Sequence, residues 1–260
     1  MKYYVVDAFT DEVFKGNPAG VCLLDVAIPD EKMQKIAFEN NLAETAFLLK
    51  KEDTYYLRWF TPDVEIDLCG HATLATSYVV MNYVDSNMTY ISFETQSGTL
   101  TVTRNGNLYR MDFPSRMPVP TQIHPMLEEA LGCKVLEAHI ARDLVVVVED
   151  EETVRNLHIN IDLIRKISKD IVFAVTVTAK GDTCDFVSRF FAPNAGIIED
   201  PVTGSSHSSL IPFWSERLHK EHMLAKQLSP RGGVLICENA GDRVHISGNA
   251  VCYLIGEIQV

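Results

Sequence analysis

One run of landmarks appears twice in this chain, about 130 residues apart, and a period of that length confines it to folds assembled from two copies of one unit. Arg58-Trp59-Phe60-Thr61-Pro62 ends a strand-like run that follows Asp53-Thr54. Arg189-Phe190-Phe191-Ala192-Pro193 ends one that follows Asp182-Thr183, so the two prolines lie 131 positions apart. Further along, Gly70 and Gly204 each open an apolar helical stretch, 134 positions apart. Ser97-Gly98-Thr99-Leu100 resembles Gly232-Gly233-Val234-Leu235, and Gly106 matches Gly241, both at a spacing of 135.

The local patterns of the two copies agree. β-Branched and aromatic runs bounded by turn residues predict strands at Tyr55 to Phe60, Tyr90 to Thr95 and Leu100 to Thr103, and again at Ile171 to Thr178, Phe186 to Phe191 and Val234 to Cys237. Each copy also holds one helix that is apolar nearly all round, His71 to Tyr83 and about Ser206 to Leu218, and such a helix must be covered on every side. Amphipathic helices are expected at Asp30 to Asn40 and Ile161 to Lys169. The expected fold is therefore α/β (α+β), with two pseudo-symmetric halves, each a curled, mostly antiparallel sheet or barrel around a central buried helix. Pro114, Pro118 and Pro120 mark a stiff linker, which divides the chain into 1–114 and 115–250, with a last strand near 251–260 that returns to the first half.

Charge and cysteine usage narrow the function. A formal net charge of −12, without a dense Lys/Arg run, speaks against nucleic acid as a partner. No apolar stretch approaches the ~20 residues of a membrane span, and the first residues lack the apolar core of a signal peptide, so a cytoplasmic protein is expected. The six cysteines are scattered, with no Cys-x-x-Cys pair, and read as reduced thiols. Neither a closely spaced metal-ligand set nor a Gly-rich dinucleotide loop is present, so no metal and no cofactor is expected.

If the halves pack face to face, the starts of the two buried helices converge on a cleft. Unpaired N–H groups and the helix dipole make such starts receptive to an anion, typically a carboxylate. Polar residues gather at the same places: Cys69-Gly70-His71 at the first start, and Glu199-Asp200-Pro201-Val202-Thr203-Gly204-Ser205-Ser206-His207 at the second. Gly70, Gly204, Gly232 and Gly233 let backbone approach a ligand. Glu44, before the apolar run Thr45 to Leu49, stands where the second copy carries Val175 or a near neighbour. A carboxylate at the mouth of a buried strand suits proton transfer. A capping box Asn41-x-x-Glu44 is the structural alternative.

These residues resemble the PhzF family of phenazine biosynthesis-like proteins, which share a fold with diaminopimelate epimerase and proline racemase. The likeness runs through Asp7-Ala8-Phe9-Thr10, Gly16-Asn17-Pro18-Ala19, Asn41-Leu42-Ala43-Glu44-Thr45, Leu68-Cys69-Gly70-His71-Ala72-Thr73 and Glu199-Asp200-Pro201-Val202-Thr203-Gly204-Ser205, besides the repeated Arg-aromatic runs and Arg231-Gly232-Gly233. The resemblance implies a homodimer, Glu44, His71 and Asp200 as catalytic residues, and Ser205 as a substrate-binding residue, while the helix starts and glycine turns themselves add Gly70, Thr203, Gly204, Gly232 and Gly233 as substrate-binding residues. It also implies a cofactor-independent proton shift on a small amino or hydroxy acid bearing a carboxylate. Two readings stand beside this isomerase: a racemase or epimerase of the same fold, and a non-catalytic module that binds a small molecule or a protein. The two-thiol chemistry of the epimerase branch needs a second cysteine, and Pro201 occupies that position.

Overall fold

In the computed structural model the chain divides into two compact units, Met1–Asp112 with Ser247–Val260, and Phe113–Ile246. All 260 residues are described, except for the side chains of residues 170 and 171. The elements run β1 (Lys2–Ala8), β2 (Asn17–Leu24), α1 (Asp30–Asn40), β3 (Glu44–Lys51), β4 (Thr54–Phe60), β5 (Glu65–Ile66), α2 (Gly70–Val79), β6 (Tyr90–Thr95), β7 (Gly98–Asn105) and β8 (Leu108–Pro114). They continue with β9 (Val119–Thr121), α3 (Leu127–Leu131), β10 (Glu137–Ile140), β11 (Leu144–Val147), α4 (Glu151–Arg155), α5 (Ile161–Ile171), β12 (Val175–Lys180), β13 (Phe186–Ala192) and β14 (Ile197–Asp200). Last come α6 (Gly204–Leu218), β15 (His222–Gln227), β16 (Gly233–Ala240), β17 (Arg243–Gly248) and β18 (Ala250–Glu257). The strands form open sheets and do not close into barrels. Among the described residues no helix is long and apolar enough to cross a membrane.

In the first unit the strands pair in the order β18, β1, β2, β3, β4, β6, β7, β8, with the short β5 also on β4. Only β2/β3 and β4/β6 are parallel, and each of those joins spans a helix, α1 or α2, because a parallel connection needs a crossover. The second unit pairs β9, β10, β11, β12, β13, β15 and β16 in order, with β14 on β13. Its parallel joins, β11/β12 and β13/β15, again span helices. The registers correspond too. Thr45 faces Phe60 and Val175 faces the equivalent Phe191, while Glu44 faces Ala19 and Val175 faces Leu144. Glu44 and Val175 are each the first residue of the strand on which the parallel join is made, and the Phe60 and Phe191 pairings set Glu44 level with Ala174, the neighbour of Val175.

The repeated Arg-aromatic runs have a structural purpose in both units. Arg58 grips Glu65 through Nε and Nη2 at 2.6 and 2.7 Å, pinning β5 to β4. Arg189 grips Glu199 in the same way at 2.7 and 2.9 Å, pinning β14 to β13. Each guanidinium also sits over the phenylalanine two residues on, 5.2 Å from the Phe60 centroid and 5.3 Å from that of Phe191. Bidentate pairs of this kind fix geometry as well as energy.

The central helices are enclosed as their composition requires. Every side chain from His71 to Ser77 in α2 is buried, and the helix packs on β1, β2, β3 and β18 of its own unit. A π-helical turn, Val80–Val84, carries it to its end. In α6 the residues from Ser206 to Ser215 are buried, with Pro212 among them. Proline lacks the N–H that would bond the carbonyl four residues back, and the Arg116 N–H takes over that carbonyl, Ser208 O, at 2.9 Å. The expected strand from Ile171 begins only at Val175, because α5 continues through residue 171. The β-branched composition of that stretch hid the change from helix to strand.

Candidate active site

In the first unit three chemically active side chains meet. Helix α1 stops at Asn41, whose left-handed backbone (φ 48°) turns the chain while its N–H bonds Ala37 O. Three residues later Glu44 opens β3, so Asn41 ends a helix and the capping-box alternative does not apply. Cys69, in extended conformation, precedes α2, and His71 sits in that helix's first turn. These local geometries place Glu44 Oε2 3.0 Å from His71 Nε2 and Cys69 Sγ 3.5 Å from His71 Nδ1. Glu44, His71 and Cys69 are all buried, with 5–6% exposure. The Glu44–His71 approach is close but not aligned as a hydrogen bond, so both atoms keep hydrogen-bonding capacity in a buried setting.

Burial pulls the His71 imidazole down, yet the facing Cys69 and Glu44 groups outweigh it and hold His71 well above the usual histidine range. Burial first, and then the Glu44 charge, raise the Cys69 thiol, so it is neutral near pH 7 and the charge facing the imidazolium is that of Glu44. One ligand atom from each of the three lies within 4.8 Å of the others, a spacing compatible with a divalent cation. However, thiol and carboxylate face opposite nitrogens of one ring, an arrangement that suits a proton relay better than chelation.

A raised His71 makes folding take up a proton. The stability it contributes is fully present below the unfolded histidine value of about 6.5 and is lost as pH rises through the folded value. Chemical denaturation between about pH 6 and pH 9 is expected to show a fall in wild-type stability that His71→Gln lacks. Equal slopes in the two proteins would contradict the ion pair.

The second unit carries the other expected residues. Asp200 ends β14, with 9% exposure, and accepts a hydrogen bond from the Thr203 hydroxyl at 2.5 Å. Thr203 precedes α6, and its N–H donates to Gln227 Oε1 at 2.9 Å, while Gln227 Nε2 donates to Asp200 O at 2.7 Å. Gly204 and Ser205 are the first two residues of α6, and no side chain of Thr203 caps the helix. Gly232 adopts φ 67° in a turn closed on Ser229, and Gly233 opens β16. At Gly70, α2 likewise starts without a side-chain cap from Cys69. Two neighbours prove structural: Glu199 is held by Arg189, and His207 is fully buried with Nδ1 2.7 Å from Thr203 O. Burial pulls the His207 imidazole down to about 4, so it is neutral.

Sequence reasoning missed Gln227, which ties the Asp200–Thr203 turn together, and Arg142, which bonds both Asp143 and Ser205. Arg142 Nη2 donates to Ser205 Oγ at 3.0 Å and, with Nε, to the buried Asp143 carboxylate at 3.1 Å. A strand-end Gln and an Arg-Asp pair in a turn both look like side chains that face water. The one available signal was the short turn between two apolar strands.

The whole chain has relatives. It matches the family model of phenazine biosynthesis-like proteins, PhzC-PhzF, over residues 6–256. A protein of Pseudomonas aeruginosa named "uncharacterized isomerase" is 46% identical to it, over 99% of this chain and 98% of that one. A crystal structure of a phenazine biosynthesis protein of the PhzF family from Enterococcus faecalis is 49% identical, superposes with a TM-score of 0.97 and covers 100% of this chain and 99% of its own. At 11% identity, a probable proline racemase from Agrobacterium radiobacter still superposes with a TM-score of 0.68, over 100% of this chain and 93% of its own, which shows a shared fold. The chain thus belongs to the phenazine biosynthesis-like, PhzC-PhzF family, whose relatives include proteins named as isomerases.

Proposed function

We propose that this protein is an isomerase that shifts a proton on a small carboxylate-bearing amino or hydroxy acid, with Glu44 as the transferring group and without a cofactor. The observation that carries the reading is the buried pair of Glu44 Oε2 and His71 Nε2 at 3.0 Å. A carboxylate facing an imidazolium can take a proton from carbon next to a carbonyl or unsaturated system and return it elsewhere, while the positive ring opposes charge build-up. The equivalent position in the second unit is the apolar Ala174, next to Val175, so the chemistry is carried by one unit. The uncapped starts of α2 at Gly70 and of α6 at Thr203, Gly204 and Ser205 support a role in receiving anionic substrate groups. Asp200 is assigned to a substrate amine, and the turn at Gly232 and Gly233 to backbone contact. The matching order of strand pairings supports descent of both units from one duplicated unit. The test is a screen of small amino and hydroxy acids in heavy water: deuterium incorporation without inversion supports the isomerase, and complete absence of exchange across the panel contradicts it.

The racemase reading is favoured only by Cys69, 3.5 Å from His71 Nδ1. Thiolates, not thiols, remove protons, and the buried Cys69 is raised. Cys69→Ser is therefore expected to keep exchange activity within about threefold, well short of the ~10²–10⁴ that a proton-transferring group contributes. Near-complete loss, measured by the same exchange assay, returns a thiol mechanism to first place.

A further inference from the structure

We propose that Arg142 is a specificity-determining residue, whose guanidinium, together with the Ser205 hydroxyl, holds an oxyanion group of the ligand, a carboxylate or a phosphate. The inference rests on the reading of the ligand as a small acid. Arg142 lies in the three-residue turn between β10 and β11, and five contacts fix it. Nε and Nη2 each donate at 3.1 Å to Asp143, which is 2% exposed. Nη2 also donates to Ser205 Oγ at 3.0 Å. The guanidinium lies 4.9 Å from the Phe173 ring centroid, and Phe173 N bonds Arg142 O at 3.4 Å. A surface arginine that served only an ion pair would not need this frame.

The frame has two consequences. Nη1 has no partner among the described residues, so one fork of the guanidinium, on a side chain 34% exposed, stays available to an anion. Ser205 Oγ accepts from Arg142, so its own proton is free to donate to the same anion. Arg142 and Ser205 thus present two donors from fixed positions, and pre-ordered donors bind anions with less loss of conformational freedom. A neutral amide in place of the anion gains no charge-assisted bond from the free fork.

Calorimetric titration of the full chain with malonate, inorganic phosphate and neutral malonamide tests this. Malonate or phosphate is expected to bind and malonamide is not; whichever anion binds more tightly identifies the carboxylate or the phosphate as the group read. Arg142→Gln alone strips the partner from a buried carboxylate and endangers folding, so the paired variant Arg142→Gln with Asp143→Asn is used, with Arg142→Lys as the charge-keeping control. The paired variant is expected to lose about tenfold to hundredfold in anion affinity with a melting transition still cooperative, and Arg142→Lys to fall between it and the wild type. Malonamide binding equal to malonate binding, no binding of either anion by the wild type, or a paired variant within about twofold of wild type each overturns the proposal. Failure of the isomerase reading would look different: no deuterium exchange, with Arg142-dependent anion binding intact.

Discussion

Glu44→Gln is expected to lower turnover by about 10²–10⁴-fold, the range in which general acid–base groups contribute, while ligand binding and the fold survive. The amide keeps the size and planarity of the carboxylate at the start of β3 but carries no transferable proton at neutral pH. Substitution also removes the charge facing His71 at 3.0 Å, so the imidazole is held up less strongly against the burial that pulls it down. The variant should therefore also lose part of the stability slope above pH ~6.5 that marks the ion pair. Steady-state exchange kinetics beside calorimetric binding separate the effects: a large fall in rate with affinity kept assigns Glu44 to the chemistry. A loss below about threefold removes it from that role.

The second large effect concerns α2. In an amphipathic helix one side tolerates charge, and residues two apart point about 200° from each other, so charges at both positions cannot both be buried at full cost. In α2 every residue from His71 to Ser77 is buried. Ala75→Asp and Ser77→Asp, on nearly opposite sides of the helix, are each expected to abolish cooperative folding. An unpaired buried carboxylate costs several kcal/mol, a large part of the ~5–15 kcal/mol that holds a domain together. Circular dichroism melts of both variants decide the matter. Near-wild-type melting of either one would mean that a face of α2 lies open.

Most of what positions the site could be read from the sequence because it rests on short-range rules. The apolar composition of residues 71–83 already demanded a covered helix, and the Arg58 and Arg189 runs marked equivalent strands. Glu44 stood out because a carboxylate before Thr-Ala-Phe-Leu-Leu conflicts with a purely structural strand start, and the registers put it level with the apolar Ala174, next to Val175. What stayed hidden depends on contacts distant in sequence. Gln227 is 1% exposed only because the Asp200–Thr203 turn folds onto the end of β15, 24 residues from Thr203 in sequence. Arg142 meets Ser205 across 63 residues, and nothing near either residue foretells it. Glu199 and His207 stood in the same motif as Asp200 but belong to a strand clamp and a buried helix face, a distinction that spacing alone does not make.

The central claim is that Glu44 moves a substrate proton with His71 beside it. Its most direct test takes the first acid that exchanges with wild-type enzyme in heavy water and follows deuterium entry at the ligand carbon by NMR for wild type and Glu44→Gln at equal ligand saturation. The account predicts steady incorporation by the wild type and a rate at least about a hundredfold lower in the variant. Incorporation by Glu44→Gln within about threefold of the wild-type rate would contradict it.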